Sequence, residues 1–126
     1  MTDPLCVYLV DDDESVRKAL SRLLSASGHA VKAYASPERF REELDLDATG
    51  CLLLDMTMPD VTELHVRQRL LKMGAALPVI AVSARDDNQA RESARELGAA
   101  FFLRKPVDDQ ALIDAISRVS ASRAGC

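Results

Sequence analysis

The sequence contains no tryptophan and only 4% aromatic residues, so its core must be built mainly from Leu, Val, Ile and Ala. Positive charge is not in excess either. Sixteen basic against 20 acidic residues leave a net charge of −4, which opposes a surface shaped for the nucleic-acid phosphate backbone. The start MTDPL has neither a basic stretch nor an apolar signal core, and no apolar run approaches membrane-spanning length. The cysteines Cys6, Cys51 and Cys126 are an odd, scattered set, with no CxxC and no metal-like spacing to the two histidines. Cys6 and Cys51 fall in apolar runs, where a reduced thiol packs as a small hydrophobe. These absences predict a reducing compartment and a cytoplasmic protein.

No linker, low-complexity segment or repeat divides the 126 residues, so one domain with a single sizeable core is expected. What is present is alternation. Five apolar runs, LCVYLV (5–10), AVKAY (30–34), CLLL (51–54), PVIAV (78–82) and AFFL (100–103), are separated by segments of helical period. Four are nearly continuous in apolar character, as strands covered on both faces of a parallel sheet are. AVKAY alternates, which suits an edge strand.

Between the runs, Val16, Ala19, Leu20, Leu23 and Leu24 form an apolar stripe with Arg17, Lys18 and Arg22 outside it. Ser36-Pro37 reads as an N-cap with proline at the first helical position, followed by Phe40 and Leu44 one turn apart. Val66, Leu70 and Met73 mark a third helix, Ala90, Ala94 and Leu97 a fourth, and Leu112, Ile116 and Val119 a fifth. Gly28, Gly74 and Gly98 each separate a helical pattern from a strand, where a left-handed residue closes a helix. Five βα units with right-handed crossovers predict an α/β, doubly wound parallel sheet. On such sheets ligands bind beyond the carboxyl ends of the strands.

Chemistry collects at those ends. The first run is followed by Asp11-Asp12-Asp13-Glu14, the third by Asp55, the fourth by Ser83 and the fifth by Lys105-Pro106. Taken singly, each has an ordinary explanation. Asp13 and Glu14 read as helix N-terminal charges, which the helix dipole favours. The pair Asp11 and Asp12 reads equally as a metal site or as solvated charge, Asp55 and Ser83 as turn residues, and Lys105 as surface charge. Taken together they are chemically compatible. An oxygen-rich carboxylate cluster suits Mg²⁺, a carboxylate can be a nucleophile toward phosphorus, and ammonium and hydroxyl donors stabilise a transferring phosphoryl group.

The motifs YLVDDDESVRKAL, LLLDMTMPD, LPVIAVSA and GAAFFLRKP resemble those of bacterial two-component response-regulator receiver domains, in particular receivers of the FixJ type. The resemblance runs from about Leu5 to Val119 and implies a flavodoxin-like (βα)5 fold with strand order 2-1-3-4-5. It implies a single receiver domain over 1–126 (core 5–122), with no effector domain in this chain. Asp55 is implied as the phosphoacceptor. Asp12, Asp55 and the backbone carbonyl of Thr57 are implied as Mg²⁺ ligands (Mn²⁺ could substitute), with Asp11 acting largely through water. Ser83 is implied as the switch hydroxyl, Lys105 as a phosphoryl contact and Phe102 as the switch aromatic, with a cis Lys105–Pro106 bond. A sensor histidine kinase is the implied donor. The face of the fourth helix, fifth strand and fifth helix is the implied site of rearrangement and homodimerisation, with Arg91, Arg95, Asp108 and Asp109 as contributors. The only catalysis implied is the chain's own phosphorylation and slow dephosphorylation.

Three positions depart from the family pattern. Glu63 replaces a glycine after Met58-Pro59, Thr57 stands where a long polar side chain is common, and Arg85 lies two beyond Ser83. In the family such positions tune the lifetime of the acyl phosphate. His29 and His65 read as surface histidines rather than phosphoryl carriers. Two other functions compete: an aspartyl-nucleophile Mg²⁺ phosphohydrolase, and an unphosphorylated docking receiver. The hydrolase is expected to carry a second Asp two residues after the nucleophile, where Thr57 stands. A nucleotide-binding fold is disfavoured because no GxGxxG or GxxxxGK[ST] follows the first strand.

Overall fold

The computed structural model describes residues 6–43, 50–57, 78–85, 87–96 and 98–122. Strands β1 (Cys6–Val10), β2 (Ala30–Tyr34), β3 (Cys51–Asp55), β4 (Val79–Ser83) and β5 (Phe101–Arg104) alternate with helices α1 (Glu14–Ala26), α2 (Pro37–Glu43), α3 (Asn88–Glu96) and α4 (Asp109–Ser122). The helix expected on Val66, Leu70 and Met73 lies outside the described residues, as do Leu44, Glu63, His65, Gly74 and Leu97. The helices expected fourth and fifth are therefore α3 and α4.

All strand pairs are parallel, in the order β2-β1-β3-β4-β5. This is the flavodoxin-like, doubly wound arrangement. Successive strand residues point to opposite faces, and each face has its own core. Tyr8, Val10, Leu52, Leu54 and Ala81 pack with Phe40 of α2 and Ala94 of α3. Val7, Leu9, Leu53, Ile80 and Val82 pack with Leu20 and Leu24 of α1 and with Leu112, Ile116 and Val119 of α4. Burial on both sides explains why β3 and β4 are apolar at nearly every position.

β2 lies at an edge, as its alternation predicts. β5 does not match the expectation of a strand covered on both faces. It forms the other edge, and Phe101, Phe102 and Leu103 are only half-buried because nothing pairs beyond them among the described residues. Within α1, Ala19 is exposed, at the margin of the stripe, whereas Arg17 is half-buried. Arg17 stands three and seven residues before Leu20 and Leu24, hence on the same side of the helix.

Local signals set the element ends. Asp13 caps α1, its carboxylate accepting from the N–H groups of Ser15 and Val16. The Ser36 hydroxyl accepts from Arg39 N–H at the start of α2. Gly28 and Gly98 take positive φ (91° and 82°) after α1 and α3. Gly50, which no sequence signal marked, has φ 133°, and a Cβ there would overlap the Cys6 carbonyl oxygen. Only glycine lets β3 begin so close to β1. No helix among the described residues is long and apolar enough to cross a membrane.

Candidate functional site

Parallel strands deliver their last residues to one rim. Asp11 follows β1 directly, its N–H donating to Tyr34 O of β2. Asp55 and Ser83 are the final residues of β3 and β4, and Lys105 follows β5. Register pairs Asp55 with Val82 and Ser83 with Arg104, so the side chains step along the rim in order. Two backbone bonds extend the ladder past the strands, Met56 N–H to Val82 O at 2.7 Å and Lys105 N–H to Ser83 O at 2.8 Å.

Asp11, Asp55 and Ser83 are buried polar residues in an otherwise apolar sheet. The Lys105 ammonium neutralises two of them, 2.8 Å from Asp11 Oδ2 and 3.3 Å from Asp55 Oδ2. Asp11 Oδ1 accepts from Asp13 N–H at 2.9 Å, and Arg17 donates to the Asp11 carbonyl at 2.7 Å. Thus α1 holds the acidic loop through both its cap and its first turn. Burial pushes the Asp11 carboxyl above its ordinary value, and the Asp55 charge adds to this, while Lys105 and the Asp13 N–H oppose it. Burial works against the Lys105 ammonium too, yet the Asp11 bond and the Asp55 and Asp11 charges outweigh it and hold its pKa up.

The two oxygens of Asp55 differ. Oδ1 accepts from Thr57 N–H at 2.9 Å and from Thr57 Oγ1 at 2.6 Å. Oδ2 is buried and accepts no hydrogen bond, its 3.3 Å approach to Lys105 being an ion contact without bonding geometry. An unbonded buried carboxylate oxygen is costly unless something cationic arrives. One oxygen from each of Asp11, Asp12 and Asp55 lies within 4.8 Å of the others, with Asp12 exposed to solvent. This all-oxygen set, over-supplied with negative charge, fits a hard divalent cation.

A family model described as response regulator receiver domain matches residues 7–117. The chain belongs to that family. It is 39% identical over 124 residues to the transcriptional regulatory protein FixJ of Azorhizobium caulinodans, covering 98% of this chain and 58% of that one. It is 36% identical over 110 residues to the response regulator protein TmoT of Ectopseudomonas mendocina, covering 87% and 50% respectively. The receiver thus spans about half the length of the curated relatives it matches. A solved structure of FixJ-N superposes with a TM-score of 0.84 at 32% identity, covering 100% of both chains. Receiver domains are phosphoryl-accepting signalling switches rather than ordinary enzymes.

The remaining expected residues lie nearby but are engaged locally. Ser83 Oγ accepts from Arg85 N–H at 3.0 Å and, among the described residues, makes no bond to Asp55. The Arg85 guanidinium pairs with Asp87 at 2.7 Å, and Asp87 in turn caps α3 through Ala90 N–H. Phe102 is half-buried, with the Arg91 guanidinium 5.0 Å from its ring centroid. Arg95 pairs with Glu92, and Asp108 caps α4 through Ala111 N–H. The Lys105–Pro106 bond is cis. His29 precedes β2, at the end of the sheet away from the carboxylates. Sequence reasoning missed Arg17 and the Thr57 hydroxyl, because both act through contacts that residue type alone does not announce.

Proposed function

We propose that this receiver takes a phosphoryl group on Asp55 from a partner histidine kinase, using Mg²⁺. The supporting observation is Asp55 Oδ2, buried, unbonded and facing the Lys105 ammonium at the mouth of a carboxylate trio. Asp12, Asp55 and the Thr57 carbonyl would hold the ion, or Mn²⁺ in its place, with Asp11 acting largely through water. When bound, the ion supplies positive charge against the phosphoryl oxygens. The chain's own groups do the rest. Asp55 presents a lone pair to phosphorus, the P–N bond of the phosphohistidine breaks, and the imidazole leaves with the electron pair. Lys105 then neutralises a phosphoryl oxygen, and the Ser83 hydroxyl turns to donate its proton to another.

Movement of Ser83 loosens the loop that Arg85 and Asp87 tie to α3, and Phe102 follows, reshaping the face of α3, β5 and α4. That face serves output or homodimerisation. Arg91, Arg95, Asp108 and Asp109 are all exposed on it. In this reading the receiver domain occupies 1–126 with its core over 5–122. The net charge of −4 opposes direct nucleic-acid binding by this domain.

Incubation with acetyl phosphate and Mg²⁺, followed by intact-mass measurement, tests the acceptor. One phosphate-sized mass increase is expected, lost in Asp55→Asn and on chelation. No adduct on the natural chain, or an undiminished adduct on Asp55→Asn, would overturn the proposal.

A further inference from the structure

On α1 the basic residues Lys18 and Arg22 are exposed, whereas Arg17 is half-buried. Glu14, three positions before Arg17 on the helix, is a ready partner, yet it pairs with Lys18 at 3.2 Å. Arg17 turns the other way and donates from Nη1 to the Asp11 carbonyl at 2.7 Å. No carboxylate pairs with its guanidinium among the described residues. Its backbone N–H donates to Asp13 O at 3.0 Å, so a single residue holds both ends of the loop 11–13.

The Asp11 carbonyl lies in the rigid peptide plane that leads to Asp12. The other polar groups of Asp11 are fixed from elsewhere: its N–H by Tyr34 O, Oδ1 by Asp13 N–H and Oδ2 by Lys105. The carbonyl is what remains, and a short, charge-assisted bond takes it. Asp12 itself is exposed and makes no hydrogen bond among the described residues. Its carboxylate nonetheless lies within 4.8 Å of oxygens of Asp11 and Asp55. That placement is therefore set by the peptide from which Asp12 departs.

We propose that Arg17 is a positioning residue for the cation site. It fixes the Asp11–Asp12 peptide and thereby aims the Asp12 carboxylate at the ion. This role rests on the reading of the carboxylate trio as a divalent-cation site. The sign of its effect separates it from a role of charge alone. A guanidinium this near the trio repels a divalent cation, so its removal strengthens binding if charge is all that matters. Loss of a group that orients a ligand weakens binding instead, by roughly 10–100-fold for the outer partners of metal ligands.

Isothermal titration calorimetry of Mg²⁺ into the chain, with no phosphoryl donor present, provides the test. Arg17→Met keeps the aliphatic stem and removes donor and charge, Arg17→Lys returns both, and Lys18→Met removes a neighbouring charge that Glu14 engages. The Arg17→Met variant is expected to bind Mg²⁺ about tenfold more weakly, and Arg17→Lys to recover most of the affinity. Lys18→Met is expected to match the natural chain or to bind slightly more tightly. Arg17→Gln, whose side chain is shorter, takes the place of Arg17→Met if that variant lacks the native circular dichroism spectrum. Natural or tighter binding once Arg17 is replaced by Met or Gln overturns the proposal. So does a Lys variant as weak as these, or an equal loss in Lys18→Met. Failure of the natural chain to take up Mg²⁺ sinks the cation reading itself, and this role with it.

Discussion

Replacing Lys105 by methionine removes the charge from the rim while keeping much of the side chain's length. In the native protein the ammonium lies 2.8 Å from Asp11 Oδ2 and 3.3 Å from Asp55 Oδ2, with only 17% of its side chain exposed. At an effective dielectric near 20, each contact contributes roughly 5 kcal/mol of gross attraction. Desolvation of the ammonium opposes this by several kcal/mol. Breaking such a buried pair leaves its partners uncompensated, and the expected net loss of stability is about 3–5 kcal/mol. Asp11 offers a partial escape. Burial already raises its pKa, and without the Lys105 bond it rises further. A carboxyl whose folded value exceeds its unfolded one binds more protons in the folded state, so stability grows as pH falls through that interval. The Lys105→Met variant is therefore expected to trail the natural chain most near about pH 8 and to close part of the gap toward about pH 5. Urea titrations followed by circular dichroism without Mg²⁺ measure both gaps. A difference under about 1 kcal/mol at the higher pH, or one that widens on acidification, would refute the electrostatic account.

Further substitutions probe the frame around the rim. Gly50→Ala places a Cβ against the Cys6 carbonyl at a φ that favours glycine, and is expected to cost about 3 kcal/mol or more, read as a lowered urea midpoint. Asp13→Ala removes the α1 cap and is expected to cost about 1 kcal/mol. Because Asp13 N–H also holds Asp11 Oδ1 through the backbone, that variant is expected to keep phosphorylation by acetyl phosphate, measured by mass.

Much of this molecule was legible from the chain. The apolar runs located all five strands, and for β1, β3 and β4 the reason is that a strand buried on both faces is apolar at nearly every position. Asp11, Asp55, Ser83 and Lys105 were readable together because their chemistry matches, although each alone resembles a turn or surface residue. What escaped depends on geometry between elements. Arg17 looked solvent-facing by charge, yet its long side chain runs to the Asp11 carbonyl at the end of β1. The half-burial of β5 follows from its place at the sheet edge, which its composition does not reveal. Gly50 is constrained by the backbone of Cys6, 44 positions earlier in the chain, and no local pattern encodes that approach.

The Lys105–Asp11 bond joins residues 94 positions apart in sequence. A nascent chain therefore has its acidic residues long before it has the cation that balances them. The rim is therefore incomplete until β5 has emerged and paired with β4. A copy that stops short of Lys105 keeps both buried carboxylates without the ammonium that faces them.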